Sequence, residues 1–265
     1  MARAFNKAGF ACAGLDVEGH GQSRGVRGFI ESWSRVLDDL VEFLPHAREE
    51  AEVGADAPLF ILGHSMGGTY ALALASALEQ AGTPAAGLVL SAPMVEVDPA
   101  VATPFLLAMQ AIVNATIPGL IVQQIENTRV CNNRAVVEDY DEDVAGCPGD
   151  VYAKTGGELL ALTEHVRRAA LKMKTPLQVH HSKTDALTDF HATQRLVESY
   201  GSESIAATTG AAASGGEGGS EAVKGNALTE FVAVEDGSGH ELMFEKSGDQ
   251  HVARMIKWVQ KRLNQ

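Results

Sequence analysis

The chain has 265 residues, of which 45% are hydrophobic and 21% are charged, and its formal net charge is −13. A chain of this length and composition can bury one sizeable hydrophobic core. The negative charge argues against a nucleic-acid partner, because the phosphates would be repelled, and it is typical of a soluble acidic surface.

Cysteine content and apolar runs bear on the compartment. Three cysteines are too few and too scattered for a disulfide framework or a zinc site, which favours a reducing compartment such as the cytoplasm. Cys12 lies in an apolar segment and is expected to be buried. Residues 1–10 hold no apolar run long enough for a signal peptide. Residues 101–122 lack charge, but Gln110, Pro118 and Gly119 interrupt them, which predicts an apolar lid rather than a membrane-spanning helix.

Short apolar runs alternate with segments of helical periodicity, which predicts parallel strands joined by crossover helices. In chain order, strands are predicted over residues 10–15, 59–62, 88–90, 177–181 and 231–234. Helices are predicted over residues 33–44, 66–81, 159–173, 190–199 and 250–263. Pro45 is expected to kink or end the first of these helices. The fold class is therefore α/β, with a mostly parallel sheet and helices on both faces.

The alternation is interrupted twice. Residues 93–175 combine the apolar stretch with an acidic, turn-rich patch, and they predict a cap inserted between two parts of one core, residues 1–92 and 176–265. Residues 201–226 are rich in Gly, Ala, Ser and Thr. Such a segment buries too little surface to offset its ordering entropy, which predicts a disordered insert within the core.

The strongest local signal is the pattern G-x-S-x-G, formed by Gly63, His64, Ser65, Met66 and Gly67. An apolar strand precedes it and an apolar helix follows it. A sharp strand-to-helix turn strains the serine backbone and exposes its hydroxyl, and small residues two positions away on either side avoid a clash. We therefore predict that Ser65 is the nucleophile of an α/β-hydrolase fold, in a turn that Gly68 extends. The alternative is a Gly-rich turn with an incidental serine.

A serine hydroxyl needs a base to take its proton, and on this fold the acid and then the histidine follow the serine in the chain. The acid is expected after a strand that follows the cap. Asp185 has this position, in His180-His-Ser-Lys-Thr-Asp185. Asp189 is the competing candidate, but it directly precedes a predicted helix and is better explained as an N-terminal cap.

The base is expected in a loop after the last strand, where His240 lies. Seven other histidines lie on earlier strands, in the cap, at the start of a helix or before the serine: they are His20, His46, His165, His180, His181, His191 and His251. In the resulting triad His240 takes the proton from Ser65, and Asp185 orients the imidazole. The backbone N–H of Met66 is expected to donate to the oxyanion.

Five segments resemble, in the expected order, the monoacylglycerol lipase and lysophospholipase-like serine hydrolases, whose domain is of the serine aminopeptidase type. They are residues 15–25 (LDVEGHGQSRG), 63–68 (GHSMGG), 90–94 (LSAPM), 184–189 (TDALTD) and 239–242 (GHEL). The resemblance covers nearly the whole chain apart from the predicted insert.

This resemblance implies hydrolysis of a lipid-like ester, a monoacylglycerol or a lysophospholipid. The triad and water need no metal or organic cofactor. The resemblance also implies that Gly19, His20 and Gly21 build a turn beside the active site and take no part in catalysis. It further implies that the cap binds the acyl chain through residues 101–122 and touches membranes peripherally. The sequence does not indicate an oligomeric state.

One departure from the family pattern concerns the second oxyanion donor, which the family takes from a His-Gly loop before the first strand seen here. Residues 1–9 hold no such motif. Either the sequence is incomplete at its N-terminus, or one donor is lost at a cost of about 3–4 kcal/mol in the transition state. The departure keeps open a non-catalytic or weakly active protein that binds a lipid or a partner. An esterase or aminopeptidase acting on other small substrates is a further alternative.

Overall fold

The computed structural model describes residues 1–96, 113–143, 149–204 and 228–264. Within these ranges the strands are β1 (Phe60–His64), β2 (Gly87–Ser91), β3 (Ile121–Gln124), β4 (Asp150–Tyr152), β5 (Leu177–Ser182) and β6 (Thr229–Val234). The α-helices are α1 (Ala2–Lys7), α2 (Trp33–Glu50), α3 (Met66–Gln80), α4 (Arg134–Glu142), α5 (Ala153–Ala170), α6 (Phe190–Ser199) and α7 (Gly248–Leu263). Short 3₁₀ helices span Asn127–Arg129 and Leu242–Phe244.

The central sheet is parallel and has the strand order β1-β2-β5-β6. Strands β3 and β4 form a separate antiparallel pair. Because the four central strands run in one direction, their carboxyl ends meet at a single edge of the sheet. The segments that follow β1, β5 and β6 carry Ser65, Asp185 and His240, respectively. The predicted α/β class is confirmed, and its topology brings the three candidate residues to one edge.

Helices cover both faces of this sheet, as the side-chain alternation of a strand requires. Leu88 and Leu90 join a core cluster to which α3, α5 and α6 contribute, and Val89 between them packs with α1 and α7 on the other face. All three side chains are buried to 99% or more. Each contributes on the order of 1.5–3 kcal/mol of hydrophobic free energy, so β2 is anchored from both sides.

Helix α5 lies within the predicted cap, yet it packs in the main core through Leu162 and Val166. Near its start, the hydroxyl of Thr155 accepts the N–H of Ile30 at 2.9 Å and donates to the carbonyl of Gly28 at 3.0 Å. The helix is therefore tied to the first part of the chain. The division into a core and a cap over residues 93–175 stays a prediction.

Most predicted elements are present with shifted ends, and Pro45 is the main surprise among the helices. It lies inside α2, which continues to Glu50, so of the two predicted effects it does not end the helix. A helical proline removes one hydrogen bond, to the carbonyl four residues earlier. That carbonyl belongs to Val41, which is 39% exposed and therefore accessible to water.

The strand predicted over residues 10–15 is absent, and this prediction is wrong. The segment is irregular, residues 11–15 are exposed, and Cys12 is an exposed free thiol rather than a buried one. A strand needs a neighbour for its backbone hydrogen bonds, and none of the described strands pairs with this segment. As a result β1 is an edge strand of the described sheet, and Leu62 on it is 39% exposed.

The apolar stretch of residues 101–122 is described only from residue 113 onward. There Ile117, Leu120, Ile121 and Val122 are all exposed. None of the helices in the described ranges is long and apolar enough to cross a membrane. The predicted insert over residues 201–226 lies outside the described residues from position 205 onward.

Candidate active site

Ser65 occupies a sharp turn between β1 and α3, with φ 52° and ψ −124°. The left-handed φ is costly for a serine, so the surrounding contacts must hold it in place. Its N–H donates to the carbonyl of Ser91 at 3.0 Å, and its own carbonyl accepts the N–H groups of Gly68 at 2.9 Å and Met94 at 3.1 Å. The backbone around Ser65 is therefore fixed by β2, by α3 and by the segment after β2.

The glycines of this turn have unequal roles. A Cβ at Gly63 would lie 2.7 Å from the Cβ of Ala71, and one at Gly68 would lie 2.8 Å from the Cβ of Pro93. Both positions therefore need glycine. Gly67 is exposed, and a Cβ there would meet nothing within 4 Å, so the expected clash two residues after the serine is wrong. The turn directs this position toward solvent.

The acid candidate Asp185 lies in the loop after β5, with its side chain fully buried. Its Oδ1 accepts the N–H groups of Leu187 at 2.7 Å and Thr188 at 3.0 Å. Its Oδ2 faces three donors: Nδ1 of His240 at 2.7 Å, Oγ1 of Thr188 at 2.8 Å and Nε2 of His181 at 3.2 Å.

This set of donors determines the charge of the acid. Burial alone would raise the pKa of Asp185, but the hydrogen bonds from His181 and His240, the charge of His240 and the N–H of Thr188 hold that pKa well below its ordinary 3.8. Each hydrogen bond to a charged group contributes about 1.5–3 kcal/mol. Asp185 therefore remains an ionised carboxylate at neutral pH.

Asp189, the competing acid, is the N-cap of α6. Its carboxylate accepts the N–H of His191 at 2.7 Å and lies 3.6 Å from the guanidinium of Arg195. This is the capping geometry that the sequence predicts for a residue directly before a helix.

The base candidate His240 lies in the loop after β6 and is 2% exposed. Because the ionised carboxylate only accepts, Nδ1 carries the proton toward Asp185, and Nε2 is the nitrogen with the free lone pair. Loop contacts hold this arrangement. The carbonyl of Ser238 accepts the hydroxyls of Ser182 at 2.6 Å and Thr184 at 2.8 Å, which ties the loop of the acid to that of the base.

Ser65 and His240 are not hydrogen-bonded to each other in the part of the chain that the structure describes. The link between them is His64, the residue before the serine, whose ring lies against that of His240 with centroids 4.7 Å apart and planes at 50°. Catalytic hydrogen bonds often tighten only when substrate is bound. The structure thus joins the acid to the base and places the base against the neighbour of the serine.

A family model described as serine aminopeptidase, S33, matches residues 1–211, which is most of the chain. This match decides the family. The chain belongs to the serine aminopeptidase S33 family of hydrolases. The order of Ser65, Asp185 and His240 and the α/β-hydrolase fold agree with this assignment.

Curated relatives of this S33 chain include monoglyceride lipases. The human monoglyceride lipase is 30% identical over 183 residues, which cover 69% of this chain and 58% of that protein. The monoacylglycerol lipase of Mycolicibacterium smegmatis is 28% identical over 205 residues, covering 77% of this chain and 71% of that protein. The chain spans about three fifths of the length of the mammalian lipases it matches.

The fold of the S33 chain is also that of solved lipases. The crystal structure of a monoacylglycerol lipase from Paleococcus ferrophilus superposes with a TM-score of 0.73 at 20% sequence identity. The superposition covers 98% of this chain and 87% of that one. At this level of identity the match establishes the α/β-hydrolase fold.

Among the residues proposed to support the S33 site, Gly19, His20 and Gly21 form a tight turn. Gly19 has φ +78°, and a Cβ there would lie 2.6 Å from the carbonyl of Val26. Gly21 also has positive φ, and a Cβ would overlap the carboxylate of Asp16. The ring of His20 lies 3.1 Å from the carbonyl of Glu18. These contacts support a structural role for the turn.

Three further histidines of the S33 chain lie apart from the triad. The rings of His180 and His251 face each other with their Nδ1 atoms 3.2 Å apart, and His165 stacks on Trp33. In the described ranges no three His, Cys, Asp or Glu side chains are grouped so that they would hold a metal ion.

Sequence reasoning did not identify the contacts that four residues make around the triad: His64, His181, Thr188 and Glu241. Thr188 alone had a local signal, because an aspartate followed three residues later by threonine is typical of a side-chain-to-backbone turn. The other three depend on which strand face or loop side they occupy, and this is fixed only by tertiary contacts.

Proposed function

We propose that the chain is a serine hydrolase that cleaves carboxylic esters of lipid-like substrates, monoacylglycerols or lysophospholipids, through an acyl-enzyme on Ser65. The proposal depends above all on the buried couple of Asp185 and His240, joined at 2.7 Å on the sheet edge where the strained serine turn lies. A buried carboxylate–imidazole couple beside a half-buried serine turn is the arrangement that activates a hydroxyl.

In the proposed reaction Nε2 of His240 takes the proton of the Ser65 hydroxyl as its oxygen attacks the ester carbonyl. The imidazolium that forms is stabilised by Asp185, and it then protonates the leaving alcohol. The ester C–O bond breaks and an acyl-serine remains. Water, deprotonated by the same nitrogen, attacks the acyl group and regenerates Ser65 with release of the fatty acid.

Met66 is the proposed oxyanion donor. It is the first residue of α3, and its N–H has no acceptor among the described residues. The N-terminus of a helix concentrates partial positive charge, which favours the negative oxygen that develops in the transition state.

The lipid-like substrate is supported by the relatives, which are monoglyceride and monoacylglycerol lipases. A second support is the run of exposed apolar side chains in the predicted cap. Ile117, Leu120, Ile121 and Val122 are between 44% and 57% exposed. Contiguous exposed apolar surface is typical of sites that meet a lipid or a partner. We propose peripheral contact of this segment with lipid surfaces.

Covalent labelling of the full chain with a fluorophosphonate probe tests the proposed mechanism. We expect one labelled serine, loss of label in Ser65→Ala, and unchanged labelling in Ser34→Ala, a matched change at an exposed serine. Hydrolysis of short-chain esters should be lost in Ser65→Ala and in His240→Ala. Labelling that persists in Ser65→Ala rejects the mechanism.

The substrate class needs its own measurement. We expect the specificity constant to rise with acyl-chain length across a series of monoacylglycerols, because a longer chain buries more apolar area. Preference for aminoacyl peptides or for the shortest esters would support the alternative of an aminopeptidase or a small-ester esterase. Binding of monoacylglycerol without turnover would support a non-catalytic lipid-binding protein.

A further inference from the structure

A second carboxylate lies next to the proposed base. Glu241 directly follows His240, and its side chain is 13% exposed. Its Oε1 accepts the hydroxyl of Tyr140 on α4 at 2.8 Å and lies 3.1 Å from Nε2 of His64. Because a carboxylate only accepts, this contact is attractive only with a proton on Nε2 of His64. It is too poorly aligned for a hydrogen bond, so the attraction is that of an ion pair between the carboxylate and an imidazolium ring.

His64 is in turn held from both ends. Its Nδ1 lies 3.1 Å from the carbonyl oxygen of Ser91, which only accepts, so this nitrogen donates. Its Nε2 faces Glu241, and one face of its ring lies against His240. The ring of His64 therefore packs against the imidazole of the base, and the backbone of His64 is joined directly to that of Ser65.

The carboxylate of Glu241 is kept in its charged form. Burial opposes ionisation, but contacts with His64, the hydroxyl of Tyr140 and the charge of His240 hold the pKa of Glu241 below its ordinary 4.5. Its backbone is fixed as well, because its N–H donates to the carbonyl of Val130 at 3.0 Å. Residue 241 is thus anchored to three separate segments of the chain.

We propose that Glu241, held by Tyr140, is a positioning residue for the base and acts through His64. It fixes the ring of His64 against His240 and so keeps Nε2 of His240 aimed at the serine turn. This inference rests on the proposed function, since it assigns a role within the same reaction. Small misplacements of a catalytic group cost large factors in rate, so such a support has a measurable effect.

Steady-state kinetics with a soluble short-chain ester test the proposal. Glu241→Gln keeps the size of the side chain and removes its charge. We expect kcat to fall about tenfold while KM stays within about twofold, because the positioning role assigns Glu241 no contact with substrate. Tyr140→Phe should lower kcat about threefold. Glu138→Gln, on the same helix and 62% exposed, is the matched control with the same charge change and should leave kcat unchanged.

Three kinetic results would overturn the assignment. The first is an unchanged kcat in Glu241→Gln. The second is a loss of kcat that is no greater than the loss of folded protein, measured by circular dichroism. The third concerns the route through His64. If Glu241 acts through this ring, the double variant Glu241→Gln/His64→Gln is no slower than His64→Gln alone, whereas multiplicative losses show an independent action.

A measurement without turnover separates this inference from the proposed function. The proton on Nδ1 of His240, shared with Asp185 at 2.7 Å, is expected to give a downfield NMR signal that is absent in His240→Gln. We expect this signal to persist in Ser65→Ala and Glu138→Gln and to shift or broaden in Glu241→Gln. If the wild-type chain shows no turnover, the proposed function fails, and an unmoved signal in Glu241→Gln would reject the positioning role by itself.

Discussion

Two neighbouring histidines on β5 have opposite surroundings. His180 and His181 are both 0% exposed, and strand alternation sends them to opposite faces of the sheet. Nε2 of His181 lies 3.2 Å from the carboxylate of Asp185. On the other face Nδ1 of His180 lies 3.2 Å from Nδ1 of His251, and the Nε2 atoms of that pair have no partner in the described ranges.

The comparison shows that the side chains which a buried group contacts, more than its burial, determine whether it is charged. Burial, together with His251 and Arg254, lowers the pKa of His180 from 6.5 to about 3, so this ring is neutral at physiological pH. Burial acts against Asp185 as well, yet its donors keep it ionised. One face of β5 thus supports an ionised acid beside the base, and the other excludes charge.

The largest expected effect comes from removing the charge on the catalytic face. Asp185→Asn keeps the shape but allows the amide to favour the wrong tautomer of His240, and kcat/KM should fall on the order of 10⁴-fold. Asp189→Asn, the matched control, keeps the N-cap of α6 and should stay within twofold of wild type. Equal losses in the two variants would contradict the choice of acid.

A smaller effect concerns how the free energy of unfolding depends on pH. It comes from His180, on the face of β5 that excludes charge. With a folded pKa of about 3 and an ordinary value of 6.5, His180 takes up a proton in the unfolded chain but not in the folded one between these limits. The free energy of unfolding should therefore decrease as pH falls from 6.5 toward 3, by up to about 1.4 kcal/mol per unit. Asp185 adds to this loss only below its ordinary 3.8.

Urea unfolding at several pH values from 7.5 to 4.5 measures this slope. Removing the titrating ring in His180→Leu should flatten it, while His46→Gln, at an exposed position, should leave it unchanged. Arg254 and Asp236 lie close enough to the pair to influence its charge and remain in both variants. A slope that is the same in His180→Leu and wild type would show that His180 is not the group responsible.

The smallest expected effect compares two buried hydroxyls, one that contacts the acid and one that has no partner in the described structure. Thr188→Val removes the donor 2.8 Å from Oδ2 of Asp185 and should lower the free energy of unfolding by about 1.5–3 kcal/mol, with about a tenfold loss of kcat. Thr193→Val removes a buried hydroxyl that has no partner in the described structure, and it should be neutral or slightly stabilising. Chemical unfolding and ester hydrolysis measure both variants.

The sequence predicts the serine turn and the chain order of acid and base because these depend on local patterns. A Gly-rich turn between an apolar strand and an apolar helix can be recognised without tertiary information, and so can an aspartate that directly precedes a helix. Ser65 and Asp189 are examples. The strand 10–15 failed for the opposite reason: an apolar run forms a strand only where a neighbour pairs with it.

The residues around the triad cannot be predicted from the sequence, because their contacts depend on which way their side chains point in the folded chain. The doublet His180-His181 gives no sign of which ring will meet a carboxylate, since that depends on which face of β5 meets the loop of Asp185. The carboxylate of Glu241 contacts Tyr140 and His64, which lie about 100 and 177 residues away in the chain. Such contacts arise only when the loops are folded against each other.

There is no room for a side chain at Gly63 or Gly68, and this has a consequence for the hydroxyl of Ser65. A Cβ added at Gly63 would collide with α3, and one added at Gly68 would collide with Pro93. The main chain at Ser65 is therefore tightly packed on both sides. A residue located by its backbone needs no side-chain bond to keep its place. The Ser65 hydroxyl can then rotate between the carbonyl carbon of a substrate and Nε2 of His240, the proposed acceptor of its proton.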